Sequence, residues 1–319
     1  MMESGRQASL SLAFLSVFLL IGLPFFFWGG PGYYSTRSFQ SAWDLGHILF
    51  FLLLSLWLHG FWGKKKFAGS PFSVFLSIFI FVFILGFLVE FLQMFSGNRS
   101  PDIGDVLRNQ LGCLTAFAFF IRPQLFGDCC KRYLLKGGVL VLLTIAVWPL
   151  CRSLIDEYQA ARQFPALSDF ETPFERDRWV NTQQFREESE IVRHGQKAVR
   201  VQLSTAKFSG IALFYFPHDW RGFQTFHCSV YNPQPAGFIV NSRIHDVHHK
   251  EHDMEFNDRF NQQFTLTHGW NDLVISLEKV KNAPKGRVMD MEHIEGFGLF
   301  VVQQSQPQVL YLDYVYLSK

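Results

Sequence analysis

Long apolar segments in the first half of the chain limit what it can fold into. Residues 71–89, for example, hold no charged side chain. A helix needs about 20 apolar residues to cross the hydrocarbon core of a bilayer. We therefore predict an α-helical transmembrane bundle of about five spans. The predicted spans are residues 9–28, 44–61, 72–94, 105–121 and 134–151.

The first apolar segment also has a second interpretation, as a cleaved signal peptide. Arg6 provides only a weak basic region, and no small-residue cleavage site precedes the turn at residues 29–32. These observations favour a retained span over a cleaved peptide.

Charge divides the chain into two halves. Residues 1–150 hold 11 Lys and Arg against 6 Asp and Glu, a net charge of +5, whereas residues 151–319 hold 18 against 21, a net charge of −3. This contrast is typical of a membrane domain followed by a soluble domain. Neither half has the basic excess of a nucleic-acid-binding protein, so we expect no nucleic-acid partner.

Basic residues in the short loops predict the orientation in the bilayer. Lys64, Lys65 and Lys66 lie in the second loop, and Arg122 and Lys131 lie in the fourth, so both loops are expected in the cytoplasm. With five spans, the N-terminus is then cytoplasmic and everything after Leu150 is exported.

Polar residues cluster at the predicted outer ends of three spans. In spans two, three and four they recur three or four residues apart, which places them on one helix face, and the short third loop makes spans three and four an antiparallel hairpin. We therefore predict an outer-leaflet polar pocket, with Arg108 beside it. Its residues are Asp44, His47, Glu90, Gln93, Arg99, Asp102, Asp105 and Asn109.

Structural roles are the alternative for each of these residues. Asp105 and Asp44 could each cap a helix N-terminus, and His47 could serve in helix packing. Glu90 lies one turn inside its span and should pair with Arg99 or Arg108, or be protonated. An ion-pair lock between helices is the alternative for the cluster as a whole.

The pattern of these residues resembles the signature of VanZ-like membrane proteins. The resemblance rests on Glu90-Phe-Leu-Gln93, Arg99, Asp102, Asp105, Asn109 and Gly112, with Asp44 and His47 as the earlier polar pair. It covers about residues 9–122 and implies a multi-pass protein of the bacterial inner membrane, in the cell envelope. The family's founding member is implicated in resistance to teicoplanin. A fifth span and a large C-terminal domain depart from that pattern.

Residues 152–164 are predicted to form a juxtamembrane helical connector, and residues 165–319 are predicted to form an exported domain. From Asp169 onward the hydrophobic period changes to alternation, with turn residues between short runs. Eight to ten such strands predict an all-β jelly-roll sandwich, so the chain is multidomain. The clearest strands are 198–203, 226–231, 237–240, 263–266, 272–277, 298–302 and 309–317.

The two ends of the sandwich carry a second resemblance. Asp169-Phe170-Glu171 with Trp179, and the closing segment 311–317, resemble carbohydrate-binding modules of the galactose-binding-like class. In many such modules, acidic residues of the first and last strands share a structural calcium ion, which oxygen ligands suit. The matching residues here are Asp169, Glu171 and Asp313; ordinary strand-end carboxylates are the alternative.

Residues 241–264 are the most polar and aromatic part of the sandwich. Sugars are held by planar polar side chains and by aromatic faces. The residues of this type are Arg243, His245, Asp246, Asp258, Arg259, Asn261 and Trp270. A solvated loop, or a transition-metal site at histidines 245, 248, 249 and 252, remains open, and Trp270 could instead pack in the core.

We predict a membrane protein that binds an envelope polysaccharide, peptidoglycan or a lipid-linked saccharide. No nucleophile elbow, phosphate loop or metal-catalytic motif occurs in the chain, which favours binding over catalysis. The alternative is a membrane enzyme that acts on a lipid-linked saccharide or phosphate, with Glu90, Asp105 or His47 as the acid or base.

Overall fold

A computed structural model divides the chain into two compact units, Met1–Cys151 and Arg152–Lys319. The structure describes residues 2–32, 34–62, 70–95, 102–121, 129–181 and 185–319. Arg99, the lysines 64–66 and Arg122, which entered the predictions above, lie outside the described residues.

The first unit is helical, as predicted. Its helices are α1 (Met2–Gly22), α2 (Arg37–Trp62), α3 (Pro71–Gln93), α4 (Ile103–Thr115) and α5 (Cys129–Gln163). A 3₁₀ turn, Leu23–Phe26, follows α1, and a π-helical turn, Ala116–Phe120, follows α4. In the described part of the chain, three helical segments are long and apolar enough to cross a membrane: 37–62, 71–93 and 130–163. Residues 11–26 form a shorter apolar helix.

Helices α2 and α4 pack closely because Gly112 has no side chain. A Cβ atom on Gly112 would collide with the carbonyl oxygen of Ile48 and would lie 2.9 Å from the backbone nitrogen of Leu52. Around this contact the helices bury an apolar core that includes Phe51 and Phe117. The close approach brings the polar side chains of α4 against those of α2.

The second unit contains a β-sandwich of two antiparallel sheets, which confirms the predicted all-β sandwich. Sheet I has the strand order β3-β4-β11-β6-β9, with β1 paired to β11, and sheet II has the order β2-β5-β10-β7-β8. The strands are β1 (Ala166–Ser168), β2 (Trp179–Val180), β3 (Phe185–Glu188), β4 (Ala198–Leu203), β5 (Phe208–Leu213), β6 (Thr225–Asn232), β7 (Phe238–Asp246), β8 (Phe260–Leu266), β9 (Gly269–Ser276), β10 (Ile294–Val302) and β11 (Gln308–Ser318).

Side chains from the inner faces of both sheets form one core. Trp220, Phe226, Phe297, Ile244 and Leu213 are among its largest fully buried members. Alternation along β7 shows the two faces: Val240, Ser242 and Ile244 are buried, while the residues between them are exposed or half-buried. The outer face of sheet II is therefore formed by the alternate positions.

Two local predictions in the sandwich need correction. The predicted strand 272–277 ends at Ser276, because Leu277 begins a short helix, α6 (Leu277–Lys281), and buries its side chain. The strand Phe208–Leu213 was not predicted, since Gly210 interrupts its alternation. Gly210 is needed there, because a Cβ atom would collide with Leu299 and Phe300 of β10.

The predicted connector, residues 152–164, is the last part of the continuous helix α5. Arg178 holds it to the start of the sandwich: its Nη2 lies 3.0 Å from Asp156 Oδ1, and its Nη1 donates to the carbonyl oxygen of Leu167 at 2.9 Å. Both Arg178 and Asp156 are fully buried. A buried pair of this kind is costly to break from one side, because the remaining charge is left uncompensated.

Candidate functional site

Arg108 connects three acidic side chains in the helical unit. Its guanidinium lies 2.5 Å from Asp105 Oδ1, 3.1 Å from Asp44 Oδ2 and 3.3 Å from Asp102 Oδ2. Asp44 lies on α2, and the other two carboxylates lie at the start of α4. Arg108, which the sequence placed beside the predicted pocket, is therefore its central cation.

His47 lies beside this group and is almost fully buried. Its Nδ1 lies 3.0 Å from Asn109 Oδ1, and its Nε2 lies 3.4 Å from Asp105 Oδ2. Both ring nitrogens thus face oxygen acceptors on α4. A Cβ atom on Gly86 of α3 would lie 2.7 Å from Asn109 Nδ2, so this glycine leaves room for the amide.

Glu90 and Gln93 are buried near the C-terminal end of α3. Glu90 Oε2 accepts the backbone N–H of Asp102 at 2.8 Å, and Gln93 Nε2 donates to the carbonyl oxygen of Phe26 at 2.8 Å. The structure therefore joins Glu90 to the segment that begins α4, and places Gln93 against the turn after α1. Arg99, the other predicted member, lies outside the described residues.

Neither Asp105 nor Asp44 is the N-cap of its helix, although Asp105 lies in the first turn of α4. The N-cap of α4 is Asp102, whose Oδ1 accepts the N–H of Gly104 at 2.8 Å. Helix α2 begins at Arg37, where Thr36 Oγ1 accepts the N–H of Phe39, so Asp44 lies well inside the helix. Both carboxylates are therefore available to Arg108.

In the sandwich, the outer face of sheet II brings four of the predicted glycan residues together. Arg243 on β7 pairs in register with Asn261 on β8, and Arg259 directly precedes β8. His245 follows Arg243 on the same face of β7. Arg259 Nε donates to Asn261 Oδ1 at 3.0 Å.

Two further rows of side chains complete this outer face. Asn241 lies opposite Gln263 on one side and Phe300 on the other, and Gln263 Nε2 donates to Asn241 Oδ1 at 3.0 Å. Phe208, 62% exposed, lies beside Phe300 with ring centroids 6.2 Å apart. Amide groups thus lie next to aromatic rings, the combination that contacts sugar rings in proteins.

Two glycines of β10 allow the polar side chains to lie along the sheet. Gly298 pairs in register with Arg243, and Gly296 pairs with His245. A Cβ atom on Gly298 would lie 2.8 Å from Arg243 Nε, and one on Gly296 would lie 2.5 Å from His245 Cε1. The sequence prediction missed both glycines. They lie two residues apart, on either side of Phe297, which indicates that one face of this strand has no side chain at two successive positions.

His245 is held neutral at this face. Burial lowers its pKa to about 3, and the charges of Arg243 and Arg259 act in the same direction. Among the described residues, its Nδ1 has no hydrogen-bond partner. The ring is therefore an uncharged group with an unused polar atom.

Asp246 and Asp258 do not belong to this outer face, because Arg287 binds both. Arg287 donates to the two carboxylate oxygens of Asp246 at 2.5 and 2.8 Å, and to those of Asp258 at 2.6 and 2.7 Å. These hydrogen bonds lower the pKa of Asp258. No periodic pattern marks Arg287, which lies in an irregular segment distant along the chain.

Trp270 lies on the other sheet. It is in β9 of sheet I, opposite Tyr231 of β6, with ring centroids 5.4 Å apart. The tryptophan is half-buried on the outer face of sheet I, so neither the predicted glycan cluster nor core packing includes it.

The three carboxylates predicted to share calcium bind backbone N–H groups instead. Glu171 Oε1 accepts from Gln196 and Lys197 at 2.6 and 2.8 Å, and Asp313 Oδ2 accepts from Arg193 and His194 at 2.6 and 2.9 Å. Asp169 Oδ1 accepts the N–H of Glu171 at 3.3 Å. As arranged here they do not form one set of calcium ligands, and the calcium site stays a prediction.

The histidine side chains of the segment after β7 do not come together as a metal site either. His249 Nδ1 lies 3.2 Å from Asp258 Oδ2, and His248 Nδ1 lies 3.0 Å from Glu251 Oε2. Within the described ranges, no three His, Cys, Asp or Glu side chains are close enough together to hold a metal ion.

Comparison with known families identifies the helical region. Residues 4–126 match the family model described as VanZ/LLP1, so the chain carries a VanZ-like domain there. The predicted resemblance is confirmed and extends slightly further in both directions. A search of curated proteins finds no match to this chain.

Solved structures similar to the chain include carbohydrate-binding modules. A family 11 module from Clostridium thermocellum, in complex with a β-1,3-1,4-mixed-linked tetrasaccharide, is 12% identical, with a TM-score of 0.35 over 48% of this chain and 94% of that one. A module specific for non-crystalline cellulose, CBM28, is 10% identical, with a TM-score of 0.35 over 49% and 93%. An exo-β-agarase is 13% identical, with a TM-score of 0.37 over 48% of this chain and 24% of the agarase.

Proposed function

Because residues 4–126 form a VanZ-like domain, we propose that this chain is a cell-envelope membrane protein whose sandwich binds a glycan. The outer face of sheet II carries the glycan proposal. It presents planar hydrogen-bonding side chains beside aromatic rings, and two glycines of β10 leave space for these side chains along the sheet. These residues are Asn241, Arg243, His245, Arg259, Asn261, Gln263, Gly296, Gly298 and Phe300.

The chemistry of this face suits sugar hydroxyls. Amide and guanidinium groups make paired hydrogen bonds in a plane, and Phe300 with Phe208 offers apolar surface to a sugar ring. Gly298 leaves room for the Arg243 side chain to lie along the sheet. An envelope polysaccharide, peptidoglycan or a lipid-linked saccharide would each provide such hydroxyls.

Insertion of the helical unit in a bilayer is part of the proposal. Large apolar side chains point outward along its helices, including Leu20, Ile84, Phe87, Leu134 and Val141, each at least 60% exposed. An apolar surface this extensive requires lipid or another apolar partner. We place α1–α4 and the part of α5 before residue 152 in the bilayer, with α1 entering from the cytoplasm and residues 152–319 exported.

The test of the glycan proposal uses the full chain in detergent, with a matched pair of variants. Envelope glycan fractions are passed over the immobilised protein and the retained sugar is measured. The double variant Asn241→Ala/Gln263→Ala should retain much less, whereas Gln202→Ala on β4 of sheet I should behave as the original chain. Retention of no fraction by the original chain would contradict the proposal.

The orientation is tested by reporter fusions. A β-lactamase fused after Lys319 should confer ampicillin resistance, because that enzyme works only when it is exported. The same reporter fused after Lys66 should not. The opposite pattern would reverse the proposed topology.

A role in glycopeptide resistance is a narrower proposal that follows from the family. A strain that lacks the chain should be more susceptible to teicoplanin and should regain its resistance when the chain is restored. Unchanged susceptibility would remove this role and leave glycan binding untouched.

A further inference from the structure

An open groove runs between α1 and α2 in the helical unit. It has a volume of about 480 Å³ and is lined by apolar side chains of both helices and of the 3₁₀ turn after α1. Phe18 and Ile21 of α1, and Leu49 of α2, form part of its wall, and each is at least 50% exposed. The groove is therefore continuous with the outward apolar surface of the unit.

Two small residues of α2 keep the groove open. Ala42 and Gly46 lie one helical turn apart on its wall, and both are exposed. A Cβ atom on Gly46 would meet no other atom of the described chain within 4 Å, and φ is not positive at this glycine. The space beside Gly46 is therefore not filled by the described side chains, although the backbone there accepts any residue.

Charged groups border the groove near the start of α2. Trp43 and His47 line it, and Asp44, which follows Trp43, contacts Arg108 at 3.1 Å. Asp44 is 40% exposed and Arg108 is 27% exposed, so a ligand can reach both. His47 Nε2 lies 3.4 Å from Asp105 Oδ2, which joins the wall of the groove to the same group of charges. An apolar groove beside charged groups matches the shape of an amphiphile.

The length of the apolar part matches one leaflet of a bilayer. Along residues 43–53 the groove follows α2 for about 15 Å, at about 1.5 Å per residue. The hydrocarbon core of a bilayer is about 30 Å thick, so one leaflet provides about 15 Å. Tryptophan prefers the membrane interface. With Trp43 at the level of the lipid head groups, Leu53 therefore lies near the middle of the bilayer.

The width of the groove suits a hydrocarbon chain and excludes a helix. On α2 the groove extends over residues 39–53, about 21 Å, so its volume corresponds to a mean cross-section of about 23 Å². An α-helix with its side chains is at least about 10 Å across, which is a cross-section of about 80 Å². A helix from a second copy of the chain would therefore have to push α1 and α2 apart.

We propose that the groove between α1 and α2 binds one acyl chain of a bilayer phospholipid, with the lipid head group beside Asp44 and Arg108. The chain is held by van der Waals contacts with the side chains on both walls, which are individually weak and collectively large. The proposal rests on the proposed insertion of the helical unit in a bilayer and adds one defined lipid site to it. It does not depend on glycan binding by the sandwich.

The experiment uses the full chain in nanodiscs of phosphatidylcholine that carries a diazirine at the end of one acyl chain. After irradiation, the modified residues are mapped by mass spectrometry. Adducts should concentrate on Phe18 and Leu53, which line the inner part of the groove. Ile84 and Phe87 of α3 are the reference for ordinary lipid contact, since both are at least 60% exposed. Their adduct yield should be clearly lower.

Three variants locate the acyl chain. Gly46→Leu places a side chain in the groove and should lose most of the adducts on Phe18 and Leu53. Leucine favours a helix more than glycine does, so α2 should stay intact. Gly46→Ala fills less of the groove and should keep more of these adducts. Gly137→Leu on α5 is the matched control and should keep all of them, because Gly137 is also exposed and a Cβ atom there also meets no atom within 4 Å.

The outcomes separate the lipid site from the membrane insertion on which it rests. Equal adduct yields on groove and reference residues, or yields unchanged in Gly46→Leu, would overturn the site and leave insertion standing. Adducts lost equally in Gly137→Leu would also overturn the site. A dimer that Gly46→Leu dissociates would show that a second copy of the chain fills the groove instead. A chain recovered in the soluble fraction without detergent would overturn both insertion and the lipid site.

Discussion

Arg243 lies across the backbone of Gly298, and its Nε would be 2.8 Å from a Cβ atom at that position. Gly298 does not have a positive φ, so alanine fits its backbone. Gly298→Ala should therefore leave the sandwich folded but displace the guanidinium. We expect glycan affinity to fall about tenfold, because a hydrogen bond to a charged group contributes about 1.5–3 kcal/mol.

Gly210→Ala is the contrasting variant on the same sheet face. Its Cβ atom would collide with backbone and Cβ atoms of Leu299 and Phe300, which cannot move like the end of a side chain. This variant should destabilise the sandwich, whereas Gly298→Ala should not. Denaturant unfolding and glycan titration of both variants would show whether binding and stability separate as stated.

Arg287 is expected to be essential for the stability of the sandwich. Arg287→Gln leaves Asp246 and Asp258 without their cation, and removing one partner of a buried ion pair costs about 3–5 kcal/mol. Arg221→Gln is the control, because Arg221 pairs with Asp219 and Glu292 at the exposed surface, where losing an ion pair should hardly change the stability. Equal unfolding midpoints for the two variants would contradict this assignment.

The buried His245 should make the sandwich less stable in acid. Its pKa, about 3 when folded, is below its usual value of 6.5, so the folded state takes up a proton less readily than the unfolded state. Above pH 6.5 both states are neutral and the group has no effect. As the pH falls from 6.5 to 5, stability should decrease by about 2 kcal/mol.

A variant isolates this contribution. His245→Gln should remove about that much of the pH dependence, while His268→Gln, at an exposed position, should not. Urea unfolding at pH 7 and pH 5 measures the difference. An unchanged slope in His245→Gln would mean that other groups carry the acid sensitivity.

The sequence predicted which side chains belong to the candidate site better than it predicted which of them lie together. Alternation places Arg243 and His245 on one face of a strand, and Asn261 on one face of another. Which strands are neighbours depends on sheet order, however, so Trp270 was grouped with residues of the opposite sheet. Arg287 was missed because a charged residue in an irregular segment carries no periodic signal.

In the helical unit, spacing was more informative. His47, Asp105 and Asn109 were placed together from helical periodicity, and the structure joins them directly. The start of α2 was predicted seven residues late, because the polar residues among 37–41 lowered the apolar signal, while Thr36 supplied the actual cap. Periodicity thus locates helix faces well, but helix ends depend on individual hydrogen bonds.

Close packing of α2 and α4 should depend on Gly112. Gly112→Ala would press a methyl group against the backbone at Ile48 and Leu52, and overpacking of this kind costs about 1–3 kcal/mol. Gly138→Ala is the control, since a Cβ atom there meets no other atom within 4 Å. Thermal stability of the full chain in detergent should fall for the first variant alone.

Glu295→Gln should stabilise the sandwich at neutral pH. Burial raises the pKa of Glu295 to about 8, above its usual value of 4.5, so the folded state holds a proton that the unfolded state releases. The resulting penalty is absent below pH 4.5, grows as the pH rises toward 8, and amounts to about 3 kcal/mol at pH 7. Glutamine keeps the shape of the protonated acid without this penalty, so its advantage in urea unfolding should be large at pH 7 and vanish at pH 4. An equal advantage at both pH values would show that packing, not proton release, explains the effect.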